Sequence, residues 1–315
     1  AEGRISPADP VLSADRHVPA WMAIARAVHE RTSARVGLVL NHAGRRGAVR
    51  PPLTGLDRPL REGAWPLAAP SALPYTAASQ IPRALDRVGM EAIRDHFARA
   101  ACLATEAGTD LLQLHMGHGY LLASFLSPLS NQREDEYGGT VEQRMRFPLE
   151  VFDAVRAIWP AERPLAAALT VADCAKGGLS IDDGVAIARA LRQHGCDLLT
   201  VLVGQTIPTA EPPYGRGFLT PFSDRIRNEA GIPTLVDGYL VTANEANTIL
   251  AGGRADLCLL TPDQPADLED EHGARMLAHN QVASLEAAPH HATTVAPSLP
   301  GDHSPRFASG KASRL

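Results

Sequence analysis

The chain is poor in several things, and each shortage excludes a class of protein. Aromatic residues make up only 5% of its 315 residues, so the core must be assembled from alanine and aliphatic side chains. There are four cysteines, Cys102, Cys174, Cys196 and Cys258. They are far apart, with no CxxC and no Cys/His pair at metal-ligand spacing, and they read as reduced thiols of the core, not a zinc module or a disulfide framework. Positive charge is not in excess: 30 Lys and Arg stand against 35 Asp and Glu, and no basic stripe marks a nucleic-acid surface. No apolar run reaches the roughly 18 residues of a membrane span. The opening AEGRISPADP lacks the charged-then-apolar pattern of a secretion signal. The expectation is a cytoplasmic protein with neither nucleic-acid nor membrane partners.

What is present is a regular alternation. Helical spacing of Trp21, Ile24, Ala25 and Val28 predicts a helix over about Val18 to Arg31, followed by strand Val36 to Leu40. Residues Arg45 to Arg83 hold many prolines and glycines and no clean period, which predicts a long loop over one end of the fold. Helices are then expected over Met90–Glu106, Val141–Ile158, Asp182–His194, Phe222–Glu229 and Ala243–Ala251. The strands between and after them are Asp110–Leu114, Leu165–Leu169, Leu198–Leu202, Pro233–Val236 and Asp256–Leu260. Strict alternation of strand and helix means a parallel sheet, and glycines 195, 231 and 252 or 253 stand where C-terminal caps belong. After Pro262 the segment ADLEDEHGARMLAHNQ has room for one helix, and Val282 to Leu315 is rich in Ala, Pro, Ser and His and almost empty of large apolar side chains. Two units are expected, residues 1–262 as a barrel and 263–315 as a helical remnant and disordered tail.

The chemistry concentrates in LLQLHMGHGYLLASFLSPLSNQREDEYGG, Leu111 to Gly139. A short apolar run stops at His115 and is followed by His118 and Tyr120. A strand ending in this way carries ring nitrogens and a phenol at its C-terminal tip, where α/β folds keep their active sites. Gly117 and Gly119 allow a tight turn there but are not part of a complete GxGxxG, so no dinucleotide fingerprint is read. His42 ends the preceding strand and is a candidate for the same mouth. Asp173 and Asp237 follow strand ends and read first as caps of the next turn. Arg133, Glu142, Arg144 and Arg146 read as ion pairs tying a loop to the rim. No carboxylate lies at a familiar metal-ligand spacing from the histidines, so no metal site is assigned.

The segment HMGHGYLLASFLSPLSNQREDEYGGTVEQRMRF resembles the stretch after the fourth barrel strand in the old yellow enzyme group of FMN-dependent ene-reductases. The likeness extends through NHAGRRG, APSALPY and GRADLCLL. VLVGQT and ANEANTILAGGRADLCLL look most like the reductase-like half of salicylyl-CoA and anthraniloyl-CoA hydroxylases. The resemblance implies a TIM (β/α)8-type parallel barrel, here expected to lack the first two strands, since the alternation holds about six. It implies FMN and NAD(P)H as cofactors and an enone or acyl-CoA-type substrate, with a fused or associated flavin monooxygenase as partner. His115 and His118 would hydrogen-bond the substrate carbonyl, and Tyr120 would supply a proton to the α-carbon; two N–H donors beneath that oxygen would stabilise the enolate.

Three positions depart from the family pattern. Val39 stands at the flavin-binding glutamine, Ala168 at an arginine beside the flavin, and Pro262 at the phosphate arginine. None offers a charged or donor side chain, while Gly238 keeps the other phosphate turn. The alternative implied is a flavin-free barrel that serves as a scaffold for a flavin monooxygenase.

Overall fold

The computed structural model describes residues 2–51 and 57–260 and the backbone of 283–285. Helix α1 (Val18–Arg31) leads to β1 (Val36–Leu40). The following long connection holds a single-turn helix at Gly44–Arg46 and the paired two-residue strands β2 (Ala68–Ala69) and β3 (Arg83–Ala84). Then come α2 (Arg87–Glu106), β4 (Leu111–Met116), α3 (Leu121–Leu126), α4 (Val141–Arg156), β5 (Leu165–Ala172), α5 (Ile181–Gln193) and β6 (Leu198–Val203). Helix α6 (Thr220–Arg225) runs into a π-turn at Ile226–Ala230, and β7 (Thr234–Val236), α7 (Ala243–Ala251), β8 (Leu257–Cys258) and β9 (Ala283–Leu285) complete the order. None of the described helices is long and apolar enough to cross a membrane.

Seven strands form one parallel sheet in the order β8-β7-β6-β5-β4-β1-β9. It is an arc of barrel wall carrying the six expected strands. The tail from residue 263 lies outside the described residues apart from the β9 backbone, which pairs with β1 at Val36, Gly37 and Leu38. Strands β4 and β5 run past their expected ends to Met116 and Ala172. Helix α3 was not expected, because LLASFL is buried on every side and shows no polar face to betray a helical period.

Alternation along the strands sorts the side chains between two faces. Leu38, Leu40, Leu112, Leu114, Met116, Leu165, Ala167, Leu169, Leu199 and Val201 pack under the helices in the main core. Leu111, Ala166, Leu198 and Leu235 form a separate apolar layer on the opposite, inner face, with Leu257 and Leu259 against it. Above that layer the inner face turns polar.

The helix starts are fixed locally. The Asp86 carboxylate accepts the Gly89 N–H at 2.8 Å to start α2, and capping boxes start α4 (Thr140, Gln143), α5 (Ser180, Asp183) and α7 (Thr242, Glu245). The π-turn after α6 ends on Gly231 at φ +67°, a conformation glycine adopts at little cost. Gly184 has a different role. A Cβ there would sit 2.3 Å from the Val171 carbonyl oxygen, so α5 lies on β5 only because this helical residue has no side chain.

Ala in place of Gly normally stabilises a helix interior by about 1 kcal/mol. Gly184→Ala is expected to reverse that sign and lower stability by about 1–3 kcal/mol through overpacking, measured by urea unfolding.

Candidate active site

The β4 tip is shaped by two left-handed residues in succession, His118 at φ +55° and Gly119 at φ +67°. They turn the chain so that Tyr120, at the start of α3, comes back toward the strand it has just left. The turn also needs room. A Cβ on Gly117 would lie 2.5 Å from Leu202 Cδ1, and one on Gly119 would lie 2.8 Å from the Gln205 carbonyl. The backbone N–H of His118 donates to Thr170 Oγ1 at 3.0 Å, and Tyr120 N–H donates to the Gly117 carbonyl at 3.1 Å.

The result is convergence. Ring centroids of His115 and His118 stand 5.2 Å apart at 90°, those of His115 and Tyr120 5.2 Å, and those of His118 and Tyr120 6.4 Å. Burial pushes the His115 imidazole down to about 4, against a hydrogen bond to the Ala168 backbone that favours its charged form. The ring is therefore neutral at ordinary pH. Its Nδ1 is buried and has no partner.

Two arginines that sequence reasoning passed over organise the mouth. Arg46 is buried, ion-pairs with Asp57 at 2.8 Å, and donates to the carbonyls of His118 and, at 3.3 Å, of Gln205. Its guanidinium carbon lies 4.3 Å from the Tyr75 ring centroid and 5.2 Å from that of Tyr120. Arg45 Nη2 donates to the Thr206 carbonyl at 2.6 Å. Burial pulls the Arg45 guanidinium down to about 10. NHAGRRG gave the one available signal, two adjacent arginines in a glycine-bounded turn.

The remaining candidates are placed as follows. The His42 ring is not brought to the trio: its Nδ1 accepts the Gly44 N–H at 3.1 Å, Gly3 lies against the ring, and burial pulls its imidazole down to about 4. Asp173 is fully buried and accepts from Ser127 Oγ at 2.6 Å, the Leu179 N–H at 2.7 Å and Thr206 Oγ1, the work of a loop cap. Burial pushes the Asp237 carboxyl up, and Gly238 N–H bonds it at 2.6 Å. Arg144 ties the rim through the carbonyls of Leu126 and Gly139 instead of through ion pairs, whereas Arg133 combines the Pro70 and Leu85 carbonyls with Asp135.

On the inner face Val39 pairs in register with Gln113, and Ala168 with both His115 and Thr200. Because β5 presents only Ala166 and Ala168 there, the Gln113 side chain reaches across it and its Oε1 accepts from Thr200 Oγ1 at 2.7 Å. Asn41, two residues beyond Val39, has a buried Oδ1 without a partner and was also missed. Pro262 lies outside the described residues.

Comparison with known proteins agrees with this architecture. Residues 1–261 match the model of the NADH:flavin oxidoreductase / NADH oxidase family. An NADPH dehydrogenase of Geobacillus sp. (strain WCH70) is 35% identical over 98% of this chain and 81% of its own length. One from Geobacillus thermodenitrificans (strain NG80-2) is 36% identical over 82% of this chain and 71% of its own. Among solved structures, the old yellow enzyme homologue from Zymomonas mobilis superposes with a TM-score of 0.66 at 25% identity, covering 86% of this chain and 81% of that one. A 2-naphthoyl-CoA reductase shares the fold at TM-score 0.72 and 21% identity; this chain spans 43% of it. The chain belongs to the NADH:flavin oxidoreductase / NADH oxidase family, the FMN- and NAD(P)H-dependent oxidoreductases of old yellow enzyme type.

Proposed function

We propose that this protein reduces the carbon–carbon double bond of an α,β-unsaturated carbonyl compound, an enone or an acyl thioester of the acyl-CoA kind. The observation that carries the reading is the convergence of His115, His118 and Tyr120 at one strand tip, with ring centroids 5.2–6.4 Å apart. The His118 imidazole N–H meets the substrate carbonyl oxygen and stabilises the negative charge that grows there. Tyr120 delivers its phenolic proton to the α-carbon, and the Arg46 guanidinium over its ring stabilises the phenolate left behind. The His115 ring, held neutral by burial, stands beside that of His118 as the second imidazole of the pair, its buried Nδ1 without a partner in the protein.

FMN, when bound, supplies the hydride. The inner face suits a flavin ring, whose edge alternates donors and acceptors: the amide of Gln113, His115 Nδ1 and Asn41 Oδ1 offer both kinds of group. Val39 and Ala168 add no charge, so the contacts are neutral ones, and Gly238 keeps the phosphate turn. The same two residues favour a second reading, a flavin-free barrel that serves an associated flavin monooxygenase. Purified protein that stays colourless in excess FMN would decide for that reading.

Tyr120→Phe is expected to slow enone reduction by about 10²-fold while NADPH still bleaches the flavin at the wild-type rate. Equal loss in both half-reactions would remove Tyr120 from the proton-donor role.

Stability should carry the mark of the buried imidazole. His115 takes its proton near pH 4 in the fold and near 6.5 when unfolded. Its contribution is therefore complete above pH 6.5 and is lost as pH falls from there toward 4, where the unfolded chain binds the extra proton. His115→Asn should lose about 2 kcal/mol less than wild type between pH 7 and pH 5, as read from paired urea titrations.

A further inference from the structure

Tyrosine is scarce in this chain, five in all. Four of them, Tyr75, Tyr120, Tyr214 and Tyr239, lie on connections that leave the C-terminal edge of the sheet. The fifth, Tyr137, is buried and bonded to Glu150. Tyr214 and Tyr239 come together with Phe218. Ring centroids stand 5.3 Å apart for Tyr214 and Phe218, 5.8 Å for Phe218 and Tyr239, and 6.5 Å for Tyr214 and Tyr239. Both tyrosines are more than half exposed, 55% and 56%, and no other aromatic is among the large exposed hydrophobics of the described residues.

This cluster is built, and its construction works against folding convenience. Tyr239 sits in the left-handed region at φ +59°, directly after Gly238 at φ +112°. A bulky residue rarely adopts that conformation, and backbone strain of this kind gathers at ligand sites. The β6 and β7 connections are clamped to each other by the Gly217 N–H donating to the Gly238 carbonyl at 2.6 Å, and Arg216 pairs with Glu245 at 2.9 Å. The connection that carries this cluster starts in the active-site mouth. Between β6 and α6 it begins at Gln205 and Thr206, whose carbonyls receive Arg46 and Arg45, and goes on to Tyr214 and Phe218. Tyr75 packs on Arg46 and donates to the Gln205 carbonyl at 3.3 Å. An exposed aromatic patch on a connection that is anchored in the catalytic mouth is a surface for a flat ring.

We propose that Tyr214, Phe218 and Tyr239 form a stacking platform at the rim that receives the planar aromatic part of the substrate, which makes this protein selective for aryl-conjugated enones over small aliphatic ones. The proposal rests on the ene-reductase reading for the reacting end of the molecule and adds what holds the other end.

The test compares 1,3-diphenylprop-2-en-1-one with 2-cyclohexen-1-one, using NADPH and added FMN, for wild type, Tyr214→Ala, Tyr239→Gly and the double variant. Glycine at 239 relieves the left-handed backbone, so that variant is expected to fold at least as well as wild type, as thermal unfolding would show. The double variant should raise KM for the diaryl enone about ten-fold, as loss of two ring contacts implies, with KM and kcat for cyclohexenone within about two-fold of wild type. If KM for both substrates moves together, or for neither, the platform is overturned. Should wild type reduce neither enone, the ene-reductase reading fails by itself. Equilibrium binding of 2-acetylnaphthalene, which has no such double bond to reduce, then decides the platform: weaker binding by the double variant upholds it, and unchanged binding overturns it.

Discussion

One buried guanidinium holds the mouth of this protein in shape. Arg46 leaves the short helical turn after β1, and its five N–H donors are spent on Asp57 and on the carbonyls of His118 and Gln205, residues from three different connections. Burial works against a charge at that depth, but Tyr120, Tyr75 and Asp57 outweigh it and its proton is held more firmly than usual. A charge taken out of water demands partners, so the loops that supply them are pinned to one arrangement. Tyr120 and His118 inherit their positions from that demand.

The inner face of the barrel wall follows a different logic. Alanines at 166 and 168 leave space on β5, and the space is filled from the neighbouring strands by the Gln113–Thr200 hydrogen bond. An arginine at position 168 would need that volume and would impose a charge. The chain has instead an all-neutral floor, which gives a bound ring hydrogen-bonding groups without a fixed cation. Small residues here determine both the shape and the electrostatics of the site.

How much of this was legible beforehand depends on the range of the interaction. The strands and most of the helices could be read, because apolar alternation and helix caps are written within a few residues, as in Thr140–Gln143 and Ser180–Asp183. Helix α3 could not, since a segment buried all round has no periodic face. The strand tip of His115, His118 and Tyr120 was legible from its motif. The reach of Arg46 to His118 spans 72 residues, and that of Arg45 to Thr206 spans 161, distances over which sequence pattern says nothing. The neutral state of His115 was equally hidden, because it follows from burial in the assembled fold.

The distribution of unusual backbone completes the picture. Among the described residues, six non-glycine residues adopt positive φ: Ala48, Asp57, His118, Cys174, Gln205 and Tyr239. Every one lies on a connection leaving the C-terminal edge of the sheet, after β1, β4, β5, β6 or β7. Each such residue costs on the order of 1 kcal/mol or more relative to an ordinary conformation. Strain arising at random would fall at both ends of the strands. Among the described residues the strain is confined to one end, so the upper loops carry a cost that the rest of the fold must offset. The same loops carry His118 and Tyr120, the arginine clamp and the exposed tyrosines, so the strained end of the barrel wall is also its chemically equipped end.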